Sequence, residues 1–297
     1  MPFENAQRTN GVANRYKRPV SSSEPAFSDP QTQIVDQGCG LYHVTDVPDY
    51  NRELNLSFAD LRNQLSSANK RFATSTQKTV YAMAQCRKYL STADCVSCFD
   101  AAVIVTRNCS IAGVSSAIVI LDGCFLRYNN GYFYDQSIDE IIGGTYRVCG
   151  NRTASKQHIF NATAAQLLNQ LLLATPRIHG FYAAAKLQEE SPGGATTYAV
   201  AQCAETMSES NCKDCLSVAY NNIKDCLPNS EADGRAGGLD AEMFLEIFRH
   251  PFFWLITRQL NIAPFLGTGH PTKRGCGGSK ETDNNFLVEQ KANSRLK

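Results

Sequence analysis

The arrangement of the cysteines constrains this chain more than any other feature. Four cysteines of the first half have counterparts 117 positions later (203 minus 86) in the second half. The two sets are Cys86, Cys95, Cys98 and Cys109, and Cys203, Cys212, Cys215 and Cys226. The surrounding text also repeats, since Tyr81-Ala-Met-Ala-Gln-Cys86 corresponds to Tyr198-Ala-Val-Ala-Gln-Cys203. Repetition at a fixed offset predicts one structural unit that is present twice.

The repeat also predicts the domain boundaries. Cys39 and Cys149 precede the two sets, so we expect a first domain over residues 31–140 and a second over 141–255. Residues 1–30 are rich in Ser, Pro and Asn, and the tail over 256–297 ends in a stretch rich in Gly, Lys and Asn. Both ends lack apolar periodicity and predict disorder, the second as a linker or juxtamembrane-like tail.

Local patterns within a copy predict an α+β fold. Phe58, Leu61 and Leu65 have helical spacing. Ser91 with Asp94 predicts a capping box for a helix that runs to about Arg107. Residues 115–121 and 124–128 follow as β-rich segments. We therefore expect two tandem domains, each with two helices packed on an antiparallel sheet and stapled by disulfides.

Composition points to an oxidising compartment. Twelve cysteines would be liabilities in a reducing cytosol. Four N-glycosylation sequons agree with secretion; they begin at Asn55, Asn108, Asn151 and Asn161. The net charge of +1 gives no electrostatic basis for binding nucleic acid. The expected location is therefore an oxidising, extracellular compartment.

Neither a signal peptide nor a membrane span is visible in the sequence. Residues 1–33 are polar, and residues 252–266 are interrupted by Arg258, Gln259 and Asn261. Either a first exon is missing or the protein stays inside the cell, and the cysteine pattern favours the first. We expect membrane attachment only through a segment that this chain lacks.

A Cys-x2-Cys pair also suggests zinc binding or redox chemistry. The second such pair lies more than a hundred residues from the first, and each copy has further cysteines that suit disulfides better than four metal ligands. A redox pair should start a helix after a strand in a βαβ unit, and that context is absent. The sequence therefore predicts no metal and no cofactor.

The motif Cys-x8-Cys-x2-Cys, present as Cys86/Cys95/Cys98 and Cys203/Cys212/Cys215, resembles that of the ginkbilobin-homologous or stress-antifungal domain of land plants. Two such domains in tandem are similar to the ectodomains of cysteine-rich receptor-like kinases, of plasmodesmata-located proteins and of cysteine-rich secretory proteins. The flanking text, such as Cys124-Phe-Leu-Arg-Tyr128 and Cys149-Gly-Asn-Arg-Thr153, looks most like the receptor-kinase branch. The resemblance covers about residues 31–266.

The resemblance implies five disulfides. They are Cys39 to Cys109, Cys86 to Cys95, Cys98 to Cys124, Cys149 to Cys226, and Cys203 to Cys212. The second copy departs from the family because Met243 stands where the pattern has a cysteine, which removes the implied partner of Cys215. Either Cys276 pairs with Cys215, or the segment over 237–261 has diverged and the second domain is the weaker one. The fate of Cys215 and Cys276 stays open.

No catalytic site is predicted. The five histidines lie in unrelated contexts, and Glu189-Glu190 and Asp139-Glu140 are expected to be solvated loops. The Gly-rich loop and catalytic loop of a protein kinase are missing, so any kinase activity of the family belongs to a segment absent here.

The resemblance implies a non-catalytic module that senses a ligand in stress or defence signalling. Its expected partner is an unknown apoplastic ligand or co-receptor, with homo- or hetero-association with related ectodomains. The alternatives are a secreted antifungal, carbohydrate-binding protein and a structural adhesion module. Mannose recognition in single-domain relatives uses an Asn, an Arg and a Glu, which the first copy replaces with Gly40, Ile118 and Asn129. We therefore expect no mannose binding.

Overall fold

A computed structural model shows two α+β domains in tandem. The structure describes residues 31–67, 70–134, 145–149, 156–189, 194–224, 227, 234–238 and 244–248. Each domain has two helices packed on a five-stranded antiparallel sheet. The predicted fold class is therefore confirmed.

The first domain contains five strands and two helices. In chain order they are β1 (Ile34–Cys39), α1 (Val47–Ser66), β2 (Phe72–Gln77), β3 (Val80–Cys86), α2 (Thr92–Ile111), β4 (Ser116–Leu121) and β5 (Cys124–Asn129). The sheet order is β1-β4-β5-β3-β2, so the two strands that follow α2 lie at its centre.

The second domain repeats this topology. Its elements are β6 (Thr145–Val148), α3 (Gln157–Ala174), a short 3-10 helix (Thr175–Arg177), β7 (Tyr182–Gln188), β8 (Thr196–Gln202), α4 (Glu209–Lys224), β9 (Gly234–Gly238) and β10 (Phe244–Phe248). The sheet order β6-β9-β10-β8-β7 is that of the first domain with each strand replaced by its counterpart.

Equivalent serines start the second helix of each domain. The Ser91 hydroxyl accepts a hydrogen bond of 3.1 Å from the Asp94 backbone N–H at the start of α2. The Ser208 hydroxyl accepts one of 3.1 Å from the Asn211 N–H at the start of α4. Each serine satisfies a backbone donor that the helix itself leaves unpaired. The capping at Ser91 follows the sequence prediction.

The first sheet is buried on both faces. Leu54, Leu61 and Phe99 of the helices pack on one face, against Leu126 and Tyr128 of β5. The opposite face carries a second set of apolar side chains, which belong to a cluster shared with the second domain: Met83, Ile118, Ile120 and Phe125. A strand buried on both sides has no alternation of apolar and polar residues.

Two expectations from the sequence differ from the structure. Helix α1 begins at Val47, well before Phe58, the first residue of the helical spacing seen in the sequence, because Asp46 caps it and polar residues fill its outer face. Glu189 is buried rather than solvated, so the prediction for this residue is wrong. Its backbone N–H donates to the Ala195 carbonyl (3.0 Å), and its carboxylate accepts from the Ala195 N–H (3.4 Å). Glu190, Asp139 and Glu140 lie outside the described residues.

Candidate functional site

Four disulfides join described residues. They are Cys39–Cys109, Cys86–Cys95, Cys98–Cys124 and Cys203–Cys212. Three of them tie α2 to the sheet at both of its ends, and the fourth ties α4 to the end of β8. These four pairs are among the five that the resemblance implied.

The remaining cysteines of the second domain are only partly placed. Cys149 forms a disulfide, and Cys226, its implied partner, lies outside the described residues. Cys215 is buried in the second core, with 1% of its surface exposed. Met243 and Cys276 also lie outside the described residues. Phe244 pairs with Gln202 across the second sheet, as Phe125 pairs with Gln85 across the first. The residue before Phe125 is the disulfide-bonded Cys124, so the position before Phe244 is the counterpart of Cys124.

The interface between the domains is built around two equivalent glutamines. Gln85 is the next-to-last residue of β3 and Gln202 is the last residue of β8, and both are 2% exposed. The Gln85 amide donates to the Cys203 carbonyl (3.0 Å), and the Gln202 amide donates to the Cys86 carbonyl (3.1 Å). The two bonds are reciprocal, because they join equivalent positions of the two repeats. Each glutamine thus satisfies a buried carbonyl of the other domain.

The side-chain oxygens of the two glutamines also make equivalent contacts. The Gln85 side-chain oxygen accepts from the Glu205 N–H (3.2 Å), and that of Gln202 accepts from the Lys88 N–H (3.2 Å). Lys88 and Glu205 are themselves equivalent positions (205 minus 88 is again 117), and their side chains form an ion pair. The interface is therefore symmetric in its backbone contacts and complementary in its charges.

An apolar cluster completes the interface. Met83, Ile120 and Phe125 of the first sheet belong to one continuous cluster with core residues of the second domain. The Thr206 hydroxyl lies 3.6 Å from the Met83 sulfur. Apolar burial and paired polar groups therefore occur together, as in the core of a single domain.

Two tyrosines are buried in the first core beside each other. The ring centroids of Tyr50 and Tyr128 are 6.4 Å apart. The Tyr50 hydroxyl donates to the Ser115 carbonyl (2.6 Å), whereas the Tyr128 hydroxyl has no hydrogen-bond partner within the described structure. Burial raises the pKa of both phenols well above their ordinary value, because the charged form would lose its hydration.

The predicted glycosylation residues differ in accessibility. Asn55 on α1 and Asn108 on α2 are exposed. Asn161 on α3 is half-buried, and its amide nitrogen, in the orientation that satisfies its neighbours, donates to the carbonyls of Gln157 (3.2 Å) and Leu227. Asn151 lies outside the described residues.

The other candidate residues do not assemble into a site. His43, His158 and His179 are exposed and lie on separate elements; His250 and His270 fall outside the described residues. In the described ranges, no three His, Cys, Asp or Glu side chains group as metal ligands. Nor does any helix there have the length and apolarity to cross a membrane.

The mannose positions of the first domain are filled by other contacts. A Cβ on Gly40 would lie 2.0 Å from the Ser116 hydroxyl oxygen, so this position has no room for a side chain. Ile118 belongs to the buried cluster shared with the second domain. The Asn129 side chain accepts from the Gly131 N–H (3.2 Å) within its own turn.

Comparison with known families explains the repeat. The salt stress response/antifungal domain model matches twice, at residues 38–131 and 148–241, which together exceed half of the 297 residues. The chain belongs to this family. The resemblance seen in the sequence is thereby confirmed.

Relatives of this chain include receptor-like protein kinases and secretory proteins. Cysteine-rich receptor-like protein kinase 42 of Arabidopsis thaliana is 31% identical over 195 residues, which are 64% of this chain and 26% of the kinase. Putative cysteine-rich repeat secretory protein 7 of the same plant is 26% identical over 202 residues, or 66% of this chain and 69% of that protein. The chain thus corresponds to about a quarter of the kinase's length.

Two solved structures share the fold. The tandem DUF26 ectodomain of the Arabidopsis thaliana cysteine-rich receptor-like protein PDLP8 superposes with a TM-score of 0.57 at 20% identity, over 73% of this chain and 98% of that one. The corresponding ectodomain of PDLP5 gives the same score and identity over 100% of its length. The tandem arrangement of this family protein is therefore that of known ectodomains.

The interface glutamines were not predicted from the sequence. A signal for them was present, since Ala-Gln-Cys recurs as residues 84–86 and 201–203. Their role depends on pairing between two domains, which neither copy shows alone.

Proposed function

We propose that this chain is the non-catalytic, extracellular recognition module of a receptor-like protein. The observation that carries the proposal is the buried interface around Gln85 and Gln202. Because each glutamine satisfies a carbonyl of the other domain and the apolar cluster is shared by both, separating the domains would break these hydrogen bonds and expose apolar surface to water. The two domains therefore form one rigid body, and a ligand or co-receptor would meet a composite surface with fixed geometry.

The disulfides support an extracellular location. Each joins cysteines near the ends of core elements, and all of the bonded cysteines in β3, β5 and α2 are buried. Such bonds form and persist in oxidising compartments. The similarity to receptor-like kinases and to secretory proteins agrees with this location.

The distribution of reactive side chains supports a binding role. The described histidines are exposed and lie in separate segments of the chain, and the Glu189 carboxylate accepts from the Ala195 N–H of its own loop. Catalysis requires a base, a nucleophile or a metal held in mutual contact. The aligned region of the related kinase is only 26% of its length, so its catalytic activity is not carried over to this chain.

The second candidate is a freely secreted carbohydrate-binding protein. The similarity to a secretory protein over 69% of its length favours it. The contacts at Gly40, Ile118 and Asn129 weigh against mannose as the ligand, because the first is blocked by Ser116 and the second faces the domain interface.

The two candidates differ in what they bind. The full chain, secreted behind a supplied signal peptide and immobilised, is titrated with secreted ectodomains of the related receptor-like kinases and with mannan oligosaccharides. The matched control is the same protein after reduction and alkylation. We expect saturable binding to at least one ectodomain that is lost on reduction. Binding to mannan and to none of the ectodomains would contradict the proposal and favour the secreted carbohydrate-binding protein.

A further inference from the structure

Two isoleucines on the outer surface of α2 are largely exposed to solvent. Ile104 is 72% exposed and Ile111 is 75% exposed, although the helix is otherwise anchored by three buried cysteines. Asn108 lies between them on the same stripe, since positions i, i+4 and i+7 share one helix face. It is exposed and begins the sequon Asn108-Cys109-Ser110.

We propose that Asn108 carries an N-linked glycan that covers this apolar stripe. The inference rests on the extracellular function proposed above, because the modification occurs only in the secretory pathway. Side chains on a helix lean toward its N-terminus, so a sugar on Asn108 extends over Ile104, about 6 Å away along the axis. The apolar face of the first sugar residues then shields Ile104, and their hydroxyls face water.

The chemistry is a group transfer from a lipid-linked oligosaccharide diphosphate. The Asn108 amide nitrogen forms a bond to the anomeric carbon of the first sugar and loses one proton. The bond from that carbon to the diphosphate oxygen breaks, and the lipid diphosphate leaves. The structure sets the order of events: Ser110 is 3% exposed and its hydroxyl donates to the Arg107 carbonyl (3.2 Å). The transfer therefore precedes closure of α2 on the sheet.

The other two described sequons provide comparisons. Asn55 shares its helix face with Arg52 and Arg62, whose side chains are 61% and 53% exposed, so a sugar there covers polar surface. Asn161 donates its amide to the Leu227 carbonyl, and a sugar on that nitrogen would disrupt the contact. We expect Asn108 and Asn55 to be occupied in the secreted protein and Asn161 to be largely unmodified.

Site occupancy tests the modification directly. The full chain is secreted from plant cells behind a supplied signal peptide, and each sequon is scored by mass spectrometry after glycan release in heavy-oxygen water. Modification of Asn108 supports the proposal. An unmodified Asn108 in secreted protein overturns it, whether or not Asn55 is modified, and leaves the proposed function standing. Failure of the protein to form disulfides or leave the cell would contradict the proposed function itself.

The covering role is tested by variants that remove the sugar. Asn108→Gln and Ser110→Ala share only the loss of the sequon, so both should shift the protein to later elution from a hydrophobic column and raise its fluorescence with a hydrophobic dye. Asn55→Gln is the matched control and should shift neither. Adding Ile104→Ser and Ile111→Ser to Asn108→Gln should reverse the shift. An occupied Asn108 whose removal leaves both readouts at the wild-type level would overturn the covering role.

Discussion

Gln85 and Gln202 hold equivalent positions in the two repeats, and each donates its side-chain amide to the backbone carbonyl of the cysteine that follows the other. Each side-chain oxygen in turn accepts a backbone N–H from the opposite domain. When a duplicated domain packs the same sheet face of each copy against the other, both faces are buried together. The glutamines then provide hydrogen-bond partners for the backbone groups that this packing removes from water.

Gln85→Ala should weaken the coupling between the domains. The change leaves the buried Cys203 carbonyl and the partly buried Glu205 N–H without their partner, at a cost of about 2 kcal/mol. We expect the single calorimetric unfolding transition to broaden or split. Gln64→Ala is the control, because Gln64 donates only to the Thr74 carbonyl (2.8 Å) within the first domain. Identical transitions for the two variants would show that the interface glutamine does not couple the domains.

The ion pair between Lys88 and Glu205 should contribute little to the free energy of unfolding, but reversing one of its charges should destabilise the protein. The two side chains are 26% and 30% exposed, so water screens their attraction and the pair is worth about 1 kcal/mol or less. Lys88→Glu places two carboxylates together and should lower the free energy of unfolding. The double variant Lys88→Glu with Glu205→Lys restores opposite charges and should recover most of the loss. A double variant as unstable as the sum of the two single variants would argue against direct pairing.

The features of the fold that correspond to repeated sequence could be predicted from the sequence. The 117-residue offset indicated two copies, and Ser91 with Asp94 indicated the start of α2, which its cap contact bears out. Strand β3 was not predicted as a strand, because its residues 80–86 are buried on both faces and show no alternation. The burial of Glu53 on α1, where Lys78 of a distant hairpin pairs with it at 3.1 Å, likewise has no local signal.

The interface between the domains could not be predicted from the sequence, for a different reason. A glutamine before a cysteine on a strand is expected on a solvent-exposed face. Here it is buried only because the other domain packs on it. Its contacts join residues 118 positions apart, Gln85 to Cys203. Patterns within one repeat carry no information on such contacts, whereas the identity of the tripeptide in both copies does.

The two buried tyrosines should respond oppositely to loss of the hydroxyl. Tyr50→Phe removes the hydrogen bond to the Ser115 carbonyl and leaves that oxygen buried, which should cost about 1 kcal/mol or more. Tyr128→Phe removes a hydroxyl that has no partner within the described structure and should be neutral or stabilising by up to about 1 kcal/mol. Chemical denaturation of the two variants against wild type measures both. A larger loss for Tyr128→Phe than for Tyr50→Phe would contradict the assignment.

The same tyrosines predict a loss of stability at alkaline pH. Burial raises the pKa of both phenols in the folded state, so the folded chain holds these protons more tightly than the unfolded chain. Their contribution is complete below the ordinary tyrosine pKa of about 10 and is lost as the pH rises beyond it, by about 1.4 kcal/mol per pH unit for each residue. Denaturation measured from pH 8 to 11 should show little change up to about pH 10 and a loss above it, and the double variant Tyr50→Phe with Tyr128→Phe should reduce that loss. An unchanged slope would place the titration elsewhere.

The disulfides of the first domain should differ in their contribution to stability. Cys39–Cys109 closes a loop with a sequence separation of 70, and Cys86–Cys95 closes one with a separation of 9. The chain-entropy model assigns about 4 kcal/mol to the first and about 3 kcal/mol to the second. Cys39→Ala with Cys109→Ala should also release β1 from the end of α2, because that bond joins the edge strand to the helix. Chemical denaturation of the two double-alanine variants gives the ranking, and hydrogen exchange along β1 reports the release. A larger loss for the Cys86–Cys95 pair, with β1 still protected in the other variant, would mean that native packing around the bonds, rather than loop closure, determines their contribution.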